Sequence, residues 1–136
     1  MNLNWDINRI ENALYTKVKS LSIKTSSNAD MPVYFGYKPS GVLDNECIVC
    51  SVPTNVNEET QTYGTCISRI AIWVKDGSTS TGKNRTRITK IHDIIFGVLP
   101  LITTAYGFDF MNEIQTQDVD NGYSITYINL YTRILS

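Results

Sequence analysis

Charge, cysteine and histidine are all scarce in this chain, and each shortage narrows what it can do. Asp, Glu, Lys and Arg make up 18% of the residues, against about 25% in ordinary soluble domains, which leaves surface for neighbours to cover. The 12 basic and 13 acidic side chains cancel to a net charge of −1, so no global field pulls the chain onto nucleic acid or an anionic membrane. Three cysteines, Cys47, Cys50 and Cys66, are too few and odd in number for a secreted disulfide framework, and reduced thiols follow. No apolar run approaches the roughly 20 residues of a membrane helix. The start, MNLNWDINRIENALY, lacks the basic segment and apolar block of a signal peptide, so the expectation is a chain made in a cytoplasm with no membrane partner. Neither a repeat nor a low-complexity tract nor a dividing linker is present, and residues 1–136 read as one domain large enough to bury a core unaided.

What is there is pattern. Ile7, Ile10, Leu14, Val18 and Leu21 recur at helical spacing, with Asn4 or Asp6 available as cap, and predict an amphipathic first helix. Val33–Tyr37 and Cys47–Val52 are β-branched and aromatic, and read as strands. The stretch from Asn55 to Thr62, holding Asn57, Glu58 and Glu59, has no apolar period and reads as an exposed loop. From Cys66 to Val74, Ser68, Ile70, Ile72 and Val74 alternate with Ile67, Arg69, Ala71 and Trp73, as in a strand with one buried face. Ile88, Ile91, Ile95, Val98 and Ile102 then fall at helical spacing, and Pro100 should kink or end that helix. Asp120-Asn121-Gly122 predicts a type I′ hairpin turn. On the strand after it, Tyr123, Ile125, Tyr127, Asn129, Tyr131 and Arg133 share one face; this tyrosine stripe is either an interface or a solvent-facing ladder. The expected fold is α+β: a mainly antiparallel sheet, two helices packed on one face, and a C-terminal β-hairpin.

Four constellations bear on chemistry. GSTSTGKN, Gly77 to Asn84, lies between strand and helix and has the spacing of a phosphate-binding loop, with Lys83 for the outer phosphates. Asn84 stands where that loop needs a hydroxyl for magnesium, and a capped Ser/Thr/Gly loop accounts for the same letters. Cys47 and Cys50 have metal-ligand or redox spacing, but i and i+3 on a strand point to opposite faces. His92, the one histidine, sits beside Asp93, and neighbouring helical side chains diverge, so no acid–base pair is expected. Lys83, Arg85, Arg87 and Lys90 form the one basic cluster; it reads either as a phosphate-facing patch towards passing DNA or as a solvated helix face. No catalytic, cofactor or metal site is expected.

An amphipathic first helix, strands, a long strand through IAIWVKD, a loop, a second helix and a closing hairpin together resemble the tail terminator or tail-completion family of tailed bacteriophages, over nearly the whole chain. Head-completion and neck proteins look similar. The resemblance implies a virion structural protein, assembled in the host cytoplasm, that is not an enzyme. It implies a ring, commonly hexameric, that ends polymerisation of the tail-tube protein and joins the tail to the neck or connector. The contacts would come from the hairpin edge and from the segments around Asn57, Glu58, Glu59, Asp76, Lys83 and Arg85, with Tyr127 and Tyr131. Lys83, Arg85, Arg87 and Lys90 would face DNA in the channel. The alternatives are a head-completion or neck protein, or a small nucleotide- or nucleic-acid-binding domain using the Gly77–Asn84 loop.

Overall fold

Two side-chain periods build the molecule, and each assigns its residues to a face. The computed structural model describes residues 3–39, 45–54, 56–60, 63–77, 82–118 and 121–134, with 57–60 and 63 as backbone alone. A single 3₁₀ turn, Leu3–Trp5, precedes helix α1, Ile7–Ser20. Asp6 begins α1 by accepting the Asn8 N–H at 2.9 Å, satisfying one of the donors that a helix start leaves open. Strands β1 (Val33–Phe35), β2 (Glu46–Ser51), β3 (Asn57–Thr60) and β4 (Tyr63–Lys75) follow, then helix α2 (Arg85–Phe96). Strands β5 (Leu101–Ile102), β6 (Tyr106–Asp118) and β7 (Tyr123–Ile134) complete the order. Among the described residues no helix is long and apolar enough to cross a membrane.

All seven strands join one sheet, in the order β1-β2-β4-β7-β6-β5 with β3 also on β4. Among the described residues only β1 and β2 pair in parallel. The fold is therefore α+β with a mostly antiparallel sheet, as the pattern predicted. One face brings Ile48, Ile70, Ile72, Phe108, Ile128 and Leu130 against Ile10, Leu14 and Val18 of α1 and Ile88, Ile91 and Ile95 of α2. Each such side chain contributes about 1.5–3 kcal/mol by leaving water. Two hydroxyls intrude on this core and satisfy each other, Thr132 Oγ1 donating to Ser68 Oγ at 2.7 Å. Among the described residues the other face carries no helix; there Tyr34, Trp73 and Tyr127 pack around buried Cys47, Val49, Ala71 and Ile125. Cys47 and Cys50 thus belong to opposite faces, as strand geometry requires.

Three details depart from the sequence pattern. The polar stretch read as a loop from Asn55 to Thr62 contains β3, which takes the same edge of β4 that β2 leaves at Ser51, pairing Asn57 with Thr65. Between β2 and β3 the chain swings out, and the Thr54 hydroxyl replaces the missing ladder partner. It accepts the Ile67 N–H at 2.9 Å and donates to the Ile67 carbonyl at 3.2 Å. Backbone pairing against a preformed edge, rather than apolar alternation, makes this strand. Helix α2 ends ahead of Pro100 as expected, at Phe96 with Gly97 as its cap, but Ile102, which continued the helical count, lies in β5. Proline lacks the N–H that a continuing helix needs and displaces the residue before it from helical geometry.

The third departure is the hairpin. Asp118 pairs with Tyr123, so the connection spans residues 119–122 and is not a two-residue type I′ turn. It closes with the Gly122 N–H on the Asp118 carbonyl at 2.9 Å, and Gly122 takes the left-handed φ of 71° that glycine adopts without strain. Val119 and Asp120 lie outside the described residues.

Candidate interaction surface

The surface begins with β6, whose sequence breaks its own alternation. Phe110 and Met111 are adjacent apolar residues, and a strand can point both outward only by inserting a residue. Pairing shifts there, from Phe110 opposite Leu130 to Asn112 opposite Asn129, which leaves Met111 as the bulge. Strand β5 covers the outer edge of β6 only at Gly107 and Phe108. Beyond that, among the described residues, no strand pairs with the outer edge from Asp109 to Asp118. Ile114 is 51% exposed on this strand, with Phe110 and Met111 also exposed. Phe110, opposite Leu130, lies on the helix-bearing face and meets the Phe96 ring of α2 edge-on at 5.0 Å, whereas Ile114, opposite Tyr127, lies on the other face. Edge strands that stay single are blunted by charged side chains, especially lysine, by proline or by bulges; Asp109–Asp118 has neither lysine nor proline, and its protection is limited to three carboxylates and the bulge at Met111.

The helix-free face continues from this edge as a ladder of polar and aromatic groups. Asn129 Nδ2 donates to Asn112 Oδ1 at 2.7 Å, and Asn129 Oδ1 accepts Arg69 Nε at 2.8 Å. The Arg69 guanidinium lies 4.4 Å from the Tyr127 ring centre, a contact worth about 0.5–1 kcal/mol at an exposed site. Tyr127 is thereby spoken for within the chain, whereas Tyr131 is 41% exposed. Arg133 and Asp109 form an ion pair at 3.0 Å across the β6–β7 pair.

The remaining residues singled out from sequence fall into separate places. Asp76 follows the end of β4 and accepts Ser124 Oγ at 2.6 Å and Gln117 Nε2 at 3.1 Å. Lys83 donates to Gln115 Oε1 on β6, so Asp76 and Lys83 converge on the hairpin end of the sheet. Asn57, Glu58 and Glu59 contribute backbone at the opposite end of β4; their side chains lie outside the described residues. Of the basic cluster, Lys83, Arg85 and Lys90 are exposed. Arg87 turns inward, with Nε 2.6 Å from buried Glu46 and a further bond of 3.0 Å from its guanidinium to the Lys24 carbonyl. Its charge is used to neutralise a core carboxylate, which leaves three exposed residues of the basic cluster.

The Gly77–Asn84 segment lacks the setting of a phosphate loop. Strand β4 before it is antiparallel to both neighbours, whereas phosphate loops follow strands of parallel sheets. Asn84 is engaged as the α2 cap, accepting the Arg87 N–H at 3.4 Å. Ser78–Thr81 lie outside the described residues.

His92 corrects another expectation. Its Nδ1 meets Asp93 Oδ1 at 3.1 Å and its Nε2 meets Glu113 Oε1 at 2.6 Å, while its ring stacks on Phe96 at 5.3 Å. Asp93 folds back along the helix surface, and Glu113 arrives from β6, 21 residues later, where no local spacing announces it. Burial alone would lower the His92 pKa; hydrogen bonds from its ring to the Asp93 and Glu113 carboxylates outweigh it and raise the group above its ordinary 6.5. The arrangement is a strut between α2 and β6.

All three thiols are buried; burial, with the Glu11 charge adding to it, pushes Cys50 far upward, and burial also raises Cys66. Among the described residues no cluster of three His, Cys, Asp or Glu is placed to hold a metal. An open hairpin edge was expected from the sequence; that β6 forms it, with a bulge, was not, although the doubled Phe110-Met111 is the signal that marks the bulge. Compared with protein-family models and with curated proteins, the chain matches none.

Proposed function

We propose that this chain is a structural subunit that assembles with copies of itself into a ring, in the manner of the phage tail terminators its order of elements resembles. The observation that carries the reading is the outer edge of β6, ten residues without lysine or proline, flanked by exposed Phe96 and Phe110 on the helix-bearing face and by exposed Ile114 on the other. Such an edge offers unpaired N–H and C=O groups to a strand from another chain. Because β1 and the β5–β6 edge close opposite ends of the sheet, a neighbour bound at one end leaves the other end open, the head-to-tail contact from which rings are built.

On this reading the ring seats on the tail-tube protein, ends its growth and presents its far side to the neck or connector. Lys83, Arg85 and Lys90 are the residues available to a DNA-lined channel. Function then resides in the geometry of the contact, with no reacting group. Native mass spectrometry of the concentrated protein tests this: a closed oligomer, six subunits by the resemblance, is expected, and Ile114→Lys on the open edge should return it to monomer. A wild-type chain that stays monomeric, alone and with tail tubes, would overturn the proposal.

A further inference from the structure

A second surface lies away from β6, in the groove between α1 and β1. Glu11 sits on the inner side of α1, 9% exposed, and its Oε2 accepts the Val52 N–H at 3.0 Å where the chain leaves β2. That bond uses one oxygen. Oε1 has no hydrogen bond among the described residues, and Glu11 lines a pocket of about 460 Å³ together with Asn8, Tyr15, Phe35, Gly36 and Tyr37. Gly36 lines the groove with a φ of 86°, a left-handed conformation that glycine adopts without strain; a Cβ there would sit 3.8 Å from Glu11 Oε1, an ordinary contact.

The walls are aromatic and unusually bare. Phe35 is 54% and Tyr37 78% exposed. The Tyr15 and Phe35 rings meet edge-on at 5.2 Å, and Tyr15 is held from its flank by Lys19, whose Nζ donates to the hydroxyl at 3.0 Å. A carboxylate at the base of aromatic rings is the chemistry that recognises an ammonium or guanidinium: the anion supplies a charge-assisted hydrogen bond and the ring faces a cation–π contact. Of the chain's nearby cations, Lys19 lies 5.4 Å from the Tyr15 ring centre and Lys38 lies over Trp73 and Tyr123 on the other face of the sheet; among the described residues neither lies over Phe35 or Tyr37.

We propose that this groove is a cation subsite taking a lysine or arginine side chain of a protein partner, with Glu11 Oε1 as the anionic contact and Tyr15, Phe35 and Tyr37 as walls. A protein carrier, rather than a free amine, fits the exposed Phe35 and Tyr37 at the rim, which offer apolar contact to whatever surrounds the inserted side chain. The inference goes beyond the ring reading and does not depend on it.

The test is titration of ¹⁵N-labelled protein with N-acetyl-lysine and N-acetyl-arginine methylamides, and with the neutral norleucine analogue. Saturable shifts at the Gly36 and Tyr37 amides are expected from the two cations, with the norleucine compound roughly tenfold weaker. Glu11→Gln keeps an acceptor for the Val52 N–H while removing the charge, and should weaken cation binding by roughly tenfold with little change in the rest of the spectrum. Tyr37→Ala, at an exposed position, should weaken it about threefold. No saturable shift at tens of millimolar, equal binding of norleucine, or unaltered binding by Glu11→Gln would each overturn the proposal. Should Glu11→Gln not fold, unchanged affinity in Tyr37→Ala does so instead.

Discussion

Replacing Arg87 by methionine is the sharpest single test of how this fold is held together. Arg87 Nε lies 2.6 Å from Glu46, whose side chain is 4% exposed. Glu46 also accepts the Ser26 N–H at 2.8 Å and the Ser26 hydroxyl at 3.1 Å. One carboxylate therefore ties the segment after α1, the start of β2 and the first turn of α2 together. Removing one member of a buried pair costs about 3–5 kcal/mol, because the other charge is left uncompensated. Glu46 keeps its two Ser26 donors, which places Arg87→Met at the lower end, about 3 kcal/mol. For a chain of this size that lowers Tm by about 10 °C. Urea unfolding at pH 7 measures it directly.

The pH dependence supplies a second check. Burial alone would raise the Glu46 pKa, but the hydrogen bonds from Arg87 and Ser26 outweigh it and hold the group below its ordinary 4.5. A depressed carboxylate stabilises above its unfolded pKa and loses that contribution as pH falls through the folded one. The gap between wild type and Arg87→Met should therefore be widest at neutral pH and narrow below about 4.5. The double variant Glu46→Gln, Arg87→Met removes both charges and should recover at least half of the loss. A loss under about 1 kcal/mol, or one that does not change with pH, would refute the keystone role.

The His92 strut runs with the opposite sign. Its raised pKa means that the stabilisation is fully present below pH 6.5 and fades as pH rises through the folded value, so His92→Gln should cost under about 1 kcal/mol at pH 6 and almost nothing at pH 8.5. Because it is the one histidine, its imidazole resonance gives the titration directly; an apparent pKa below 6.5 would contradict the geometry. Native protein should also show no fast-reacting thiol towards Ellman's reagent, since Cys47, Cys50 and Cys66 are all buried; prompt reaction of any one would place it wrongly.

Elements whose signal is periodic were legible in the sequence. The apolar stripes of α1 and α2, the two-faced β4 and the facing of β7 all follow from spacing within one segment, and so does the division of Cys47 from Cys50. Features made by a partner distant in sequence were not. Strand β3 has no apolar alternation and exists because β4 offers it an edge. Arg87 looked like part of a basic patch because Glu46, 41 residues away, leaves no mark on the local pattern. Glu113 reaches His92 only once β6 lies beside α2. For the interaction surface, composition pointed to spare surface and the pattern to the tyrosine stripe and a hairpin edge, while the assignment of that edge to β6 came only with the strand order.

The central position of β4 has a consequence for how the chain comes to be folded. One whole side of that strand is matched from Gly64 with Ile134 to Lys75 with Tyr123, so the partner is synthesised long after β4 itself. Until β7 emerges from the ribosome, the middle of the sheet is an unfinished seam whose apolar residues have nothing to close on. Loop closure over that distance makes the final step slow relative to local helix formation. The nascent chain, more than the finished subunit, is then the form that needs shielding from premature association.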